Sequence, residues 1–294
     1  MKIYKKNIKK DIVVQKESEE HLDDLDGFHN DMSNNDYHGD LTHFSSSSLK
    51  MLLKDERKFH SKYVLKEDQH EEENTNFIVG SYIHSLILEP HLTKEEFAIH
   101  NGTRRGKAYK EFKEINRGKD IVTATEHEMA TQMIFNYKKN EYAPQLISDG
   151  QAEQSLFTHI NKVPIKVRPD YVYVDAKSGY IVDVKTTGDK LDRASLMRIV
   201  GRFDYDLSAA LYVDAYEQQL GVPFNFFFIF LSKKEPYEVI AIKASRQLID
   251  NGRRKYVWAM RKYEKGLETG IWYKEGIQEL FMFKGDMFEI PEED

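Results

Sequence analysis

Hydrophobic spacing changes character several times along the chain. Residues 1–40 are polar, acidic and without a clear period, and we expect them to form a mobile peripheral extension. Ser45 to Ser48 then supply hydroxyls suited to a helix N-cap, and Leu49, Leu52, Leu53, Phe59 and Tyr63 follow at helical spacing. A charged loop is expected over residues 66–76. The run FIVGSYIHSLILE predicts a helix over residues 77–89, stopped at Pro90, which has no backbone donor to continue it. The basic stretch HNGTRRGKAYKEF leads into another helix, and a long helix is predicted over residues 125–139.

From residue 152 the pattern turns to short runs with strand character: EQSLFTHI, VPIKVRPDYVYV and GYIVDVKTT. A helix over residues 207–220 (LSAALYVDAYEQQL) comes next. Two more strands follow, FNFFFIFLS and YEVIAIKA, then a helix over residues 245–266 and an aromatic tail. No internal repeat is present. Helices ahead of a central sheet, with a helix crossing between its strands, predict an α/β core.

Within this pattern, IKVRPDYVYVDAKSGYIVDVKTTG reads as two strands around a tight turn at Ala176-Lys177-Ser178-Gly179. Side chains at i and i+2 share a strand face, so Asp183 and Lys185 point the same way while Val184 enters the apolar layer. A hairpin brings Asp170, on the first strand, beside them. Two carboxylates and an ammonium at one spot suit a hard divalent cation next to a positive charge, the requirement of phosphodiester hydrolysis. The same spacing also fits an exposed hairpin with ordinary surface charges.

Composition narrows the setting. The chain has 294 residues, 40% hydrophobic, 12% aromatic and 31% charged, enough for a substantial core in a soluble protein. No run reaches the apolar length of a membrane span, and the N-terminus lacks the apolar segment of a secretory signal. With no cysteine, disulfides, iron–sulfur clusters and thiolate zinc sites are excluded, and a cytoplasmic location is the default. The net charge of −6 is concentrated toward the ends, and the middle holds basic groups such as Arg104-Arg105-Gly106-Lys107 and Arg253-Arg254-Lys255. Local fields, not net charge, decide whether nucleic acid binds. The Arg104, Arg105 and Lys107 segment follows the turn signal Asn101-Gly102, so its charges read as a mobile loop that is either simply solvated or DNA-binding.

Two further residues have two readings each. His84, in GSYIHSLILE, is either a satisfied residue of a packed helix or a metal ligand, and Gly80 one turn earlier would allow a close approach. Glu153, opening the strand EQSLFTHI, is either a solvent-facing strand end or part of a site.

His84 in G-x-x-x-H, Glu153, Pro169-Asp170, Asp183-Val184-Lys185-Thr186-Thr187 and Tyr205…Ala209-Ala210-Leu211-Tyr212 occur in that order. The set resembles the PD-(D/E)XK nuclease superfamily in its RecB-like branch. It is most similar to phage and prophage RecE-type exonucleases (exodeoxyribonuclease VIII), over residues 42–294. The resemblance implies a PD-(D/E)XK core, a central mixed sheet flanked by helices with an N-terminal helical elaboration, in a nuclease domain spanning residues 41–294. It implies that His84, Asp170, Asp183 and the Val184 carbonyl ligate metal, with Glu153 in support and Lys185 beside the attacking water. The implied ion is Mg2+, with Mn2+ as substitute. Ser208 stands where the family pattern has glutamine, so its role as a DNA contact, with Tyr212, is an expectation at a departing position. The implied activity is 5′ to 3′ digestion of linear duplex DNA in phage-type recombination. A homo-oligomeric ring and a single-strand annealing partner are also implied. A RecB-like endonuclease, a branched- or single-strand nuclease and an inactive DNA-binding scaffold are the competing readings.

Overall fold

The computed structural model describes residues 25–67 and 75–273. Residues 1–24, 68–74 (most of the expected charged loop) and 274–294 (the aromatic tail) lie outside the described residues.

The N-terminal half contains β1 (Gly27–His29), α1 (Asn34–Gly39), α2 (Ser46–Lys54), α3 (Glu56–Phe59), α4 (Thr75–Leu88), α5 (Thr93–Glu96), β2 (Phe97–His100), α6 (Gly106–Ile115), β3 (Asp120–Thr123) and α7 (Ala124–Lys139). The C-terminal half contains β4 (Gln151–Ala152), β5 (Ser155–Ile160), β6 (Val163–Val167), β7 (Tyr171–Val174), β8 (Gly179–Thr187), α8 (Arg193–Arg202), α9 (Tyr205–Leu220), β9 (Phe224–Ser232), β10 (Val239–Lys243) and α10 (Arg246–Thr269). Side-chain caps fix the helix starts. The Ser45 hydroxyl accepts from the Ser48 N–H, Thr123 and Glu126 form a reciprocal capping box, and Ser245 accepts from the Leu248 N–H.

The central sheet is mixed, in the order β10-β9-β8-β7-β4. β8 and β9 run parallel and the other neighbours antiparallel. Parallel neighbours need a crossover, and α8 and α9 supply it. Both faces of the sheet are covered, which is why β9 is a nearly continuous apolar run. On one face Ile181, Phe226, Phe228 and Phe230 pack with Leu49, Leu52, Leu207 and Leu211 from α2 and α9. On the other, Val182, Val184, Ile229 and Leu231 pack with Val79, Ile83 and Met133 from α4 and α7. The result is a mixed α/β architecture, a central mixed sheet flanked by helices.

Two local expectations are corrected, and one strand pair is new. VPIKVRPDYVYV is not one strand. β6 belongs to a separate sheet ordered β1-β5-β6, β7 belongs to the central sheet, and the break falls at Arg168-Pro169-Asp170, where Pro169 has no N–H for a ladder. Residues 25–40 are not a detached extension: β1 pairs antiparallel with β5, Tyr37 of α1 is buried, and the Lys166 ammonium bonds the Tyr37 and Asp40 carbonyls. The short parallel pair β2–β3 was not anticipated.

The start of α9 is held by a charged knot. Lys255 of α10 lies 2.8 Å from Asp204 and 3.0 Å from Asp206, Asn251 donates to Asp206 at 2.7 Å, and Lys54 of α2 reaches the other Asp204 oxygen at 2.5 Å. Asp204 itself has φ of 48°. This knot fixes the helix end that faces the candidate site.

Candidate active site

β8 does what its period-two pattern demands. Asp183 and Lys185 share one face, and Val184 is fully buried against the α4 side. Asp183 is buried, and its Oδ1 accepts from the Lys185 ammonium at 2.8 Å. Asp170 sits in the bend just before β7 and not within the strand. Its Oδ2 accepts the Val184 N–H at 2.6 Å and lies 3.5 Å from His84 Nδ1 and 4.0 Å from Lys185 Nζ. The Val184 carbonyl accepts from Lys185 at 3.4 Å.

Glu153 is also displaced from its expected place. It stands between β4 and β5 at φ of 52°, and its N–H donates to the Asp170 carbonyl at 3.2 Å. That bond sets its side chain next to Asp170. One ligand atom each from His84, Glu153 and Asp170 lies within 4.8 Å of the others. The Gly80 position on α4 is less crowded than its spacing suggested, because a Cβ there would meet Thr186 Oγ1 at 3.6 Å, ordinary contact.

Electrostatics divide these groups. Burial raises the Asp183 pKa, and the neighbouring Lys185 opposes it. Burial works against the Lys185 ammonium, but Asp183 and Asp170 outweigh it and hold its pKa above the usual lysine range. Glu153 is pushed up to about 8, first by burial and then by the Asp170 carboxylate, with Arg168 opposing. Two crowded carboxyls beside an imidazole fit a hard dication, whose charge would offset the burial and the repulsion that keep Glu153 protonated.

A pH dependence follows. Because the folded, metal-free Glu153 holds its proton up to about pH 8, a dication must displace it. Mn2+ affinity is expected to rise by about tenfold per pH unit between pH 6 and 8 and level off above. Calorimetric titration at several pH values, in buffers of different ionisation enthalpy, reads both affinity and proton release. Glu153→Gln should remove the proton release, and an affinity flat with pH in the native protein would contradict the assignment.

α9 forms the opposite wall. Ser208 is buried, and its Oγ accepts from the Lys50 ammonium of α2 at 2.6 Å. The Tyr205 ring has Lys50 Nζ and Lys185 Nζ each 5.5 Å from its centroid. Tyr212 is half-buried and packed near Phe226, so it reads as a pillar under the site. Lys50 and Tyr205 were missed as site residues. Lys50 and Ser208 are 158 positions apart, and no local pattern joins them.

The basic segment behaves differently from expectation. Arg104 is not on a free loop: its two terminal nitrogens bond the two Glu126 oxygens at 2.6 and 2.7 Å, and one also reaches the Ile121 carbonyl. Glu126 is the capping-box residue of α7, so the pair anchors the β3–α7 junction. Arg105 is exposed just before α6, and Lys107 is exposed on it, 3.6 Å from Glu111. No described contact ties these three to the acidic cluster.

Among solved structures, that of a "Putative exonuclease" from Eubacterium rectale matches with a TM-score of 0.59 at 15% identity, over 82% of this chain and 88% of that one. At that identity the match shows the fold alone. The structure of SSO0001 covers 64% of this chain and 87% of its own at 12% identity, with a TM-score of 0.26, too low to carry an argument. A search of the curated proteins finds no match. Among the described residues no helix is long and apolar enough to cross a membrane. Residues 45–276 match the family described as "PDDEXK-like domain of unknown function" (DUF3799), which contains α2, the central sheet, α9 and every acidic, imidazole and ammonium group of this cluster, and the chain belongs to that family.

Proposed function

We propose that the chain is a metal-dependent exonuclease that hydrolyses linear double-stranded DNA from the 5′ end, in phage-type recombination or DNA processing. The observation that carries this reading is the convergence of His84, Glu153 and Asp170 within 4.8 Å of one another, beside the Asp183–Lys185 pair. A Mg2+ or Mn2+ ion held there would polarise a phosphate oxygen and lower the pKa of bound water. The exonuclease reading is in keeping with the name "Putative exonuclease" that the Eubacterium rectale structure carries, and the circle assay below decides between it and the endonuclease alternative.

The chain's own groups have separate tasks in this reading. His84, Asp170 and Glu153 would hold the ion, with Asp183 and the Val184 carbonyl adjoining. The Val184 N–H fixes the Asp170 carboxylate against rotation. In the metal-free chain Asp183 and Asp170 hold the Lys185 ammonium protonated, and in this reading it stays so during cleavage. It therefore orients water and offsets charge developing on the phosphate, and does not serve as the base. The ring assembly and annealing partner implied by the resemblance belong to the same proposal.

The test compares linear duplex carrying 5′ or 3′ label with a covalently closed circle. Loss of 5′ label from the linear duplex, with circles spared, is expected. Rapid cutting of closed circles would replace the exonuclease reading by the endonuclease one.

A further inference from the structure

Lys50 stands at this site with its charge offset only at longer range, by Asp183 and Asp204. It lies on α2 between fully buried Leu49 and nearly buried Leu52, so its backbone is fixed against the core. Its Nζ donates to Ser208 Oγ at 2.6 Å and sits over the Tyr205 ring, 5.5 Å from the centroid. Among the described residues no carboxylate lies within ion-pair distance of it. The contrast with its neighbours is direct. Lys54, one turn on, pairs with Asp204 at 2.5 Å, and Lys185, across the Tyr205 ring, pairs with Asp183 at 2.8 Å.

A half-buried ammonium held only by a hydroxyl and an aromatic face, with a second ammonium near it, is poorly stabilised in its charged form. Consistently, burial and the Lys185 charge bring its pKa down to about 8. Asp183 and Asp204 oppose this shift from beyond contact distance, and among the described residues no anion touches the ammonium. A phosphate oxygen of a strand entering beside Lys185 would supply that contact.

We propose that Lys50 is a phosphate-binding residue of this site, its ammonium aimed by Ser208 and the Tyr205 face onto a non-bridging oxygen of the DNA strand being cut. The inference rests on the nuclease reading above and deepens it. Ser208 is then a positioning residue. A serine hydroxyl reaches less far than a glutamine amide, and at this departing position the longer reach comes from α2 instead. Lysine suits the task as a compact point charge with three donors, one spent on Ser208 and two left for the ligand.

The experiment uses the full chain with Lys50→Met, which keeps the aliphatic stem and its packing, Lys50→Arg, and Ser208→Ala. Each is assayed for cleavage of linear duplex in Mg2+ and for duplex binding in Ca2+ across a KCl series, with melting temperature as the folding control. Lys50→Met should lower kcat/KM at least about tenfold and reduce the slope of log K against log salt by about 0.9, the loss of one phosphate contact. Lys50→Arg should restore most of the slope, and Ser208→Ala should raise KM while leaving the slope nearly unchanged. A folded Lys50→Met with the native slope and native kcat/KM overturns the inference while native cleavage still stands. If the native chain neither binds nor cuts duplex, the nuclease reading itself fails, and this inference falls with it.

Discussion

Asp183→Asn lowers the rate of linear-duplex cleavage by about 10²–10³-fold, the scale of removing one preorganised electrostatic group from a site, and leaves the fold intact. The asparagine keeps the carboxylate's shape and presents an oxygen to Lys185, now 2.8 Å away. It loses the negative charge that holds Lys185 in its protonated state and that adjoins the acidic cluster. Stability changes little, because burial already disfavours the charged form of Asp183. Asparagine is the informative choice, since alanine would leave a void beside an unpaired buried ammonium and confuse loss of charge with loss of packing. Steady-state cleavage rates and a thermal melt read the two effects separately. A folded Asp183→Asn that cuts at the native rate removes Asp183 from the chemistry.

Gly252→Ala is the largest expected effect on stability. α10 crosses α9 so closely that an added Cβ would lie 1.9 Å from the Asp206 carbonyl oxygen and 2.8 Å from the Leu207 nitrogen. Both are backbone atoms and cannot rotate aside, so the helices must separate. Overpacking of this kind costs about 1–3 kcal/mol or more, against about 1 kcal/mol gained from the helix preference of alanine. Because the clash at 1.9 Å is with fixed backbone, the cost belongs at the upper end, about 3 kcal/mol, so we expect a net loss of about 2 kcal/mol and a fall in melting temperature of about 4–8 °C for a domain of this size. The same shift would disturb the Lys255, Asp204 and Asp206 knot and the placement of Tyr205 and Ser208, so activity falls as well. A melting temperature at or above that of the native chain would show that the two helices adjust at no cost.

The sequence made parts of this architecture readable, and the reasons differ by element. Asp183 and Lys185 share a face because strand periodicity is two, a rule that needs no tertiary knowledge. α7 and α10 were legible as long helices, over residues 125–139 and 245–266, and the structure adds their Thr123 and Ser245 caps. The split of VPIKVRPDYVYV between two sheets was not readable from its apolar pattern, although Pro169 marked the break. The meeting of His84, Glu153 and Asp170 depends on how α4 and two loops pack around β8, and only the ordered motif pointed to it. Arg104 shows the opposite failure. Its composition suggested a phosphate ligand, but Glu126, 22 positions later, takes both of its terminal nitrogens. A charged side chain cannot be assigned to a partner from sequence when an internal carboxylate competes for it.

The most direct test of the central claim is digestion of end-labelled linear duplex by the purified chain, in Mg2+ and in excess EDTA. The account predicts progressive shortening in Mg2+, none in EDTA, and recovery when Mn2+ is added back. Digestion that persists in EDTA, or its absence with either ion, would contradict it.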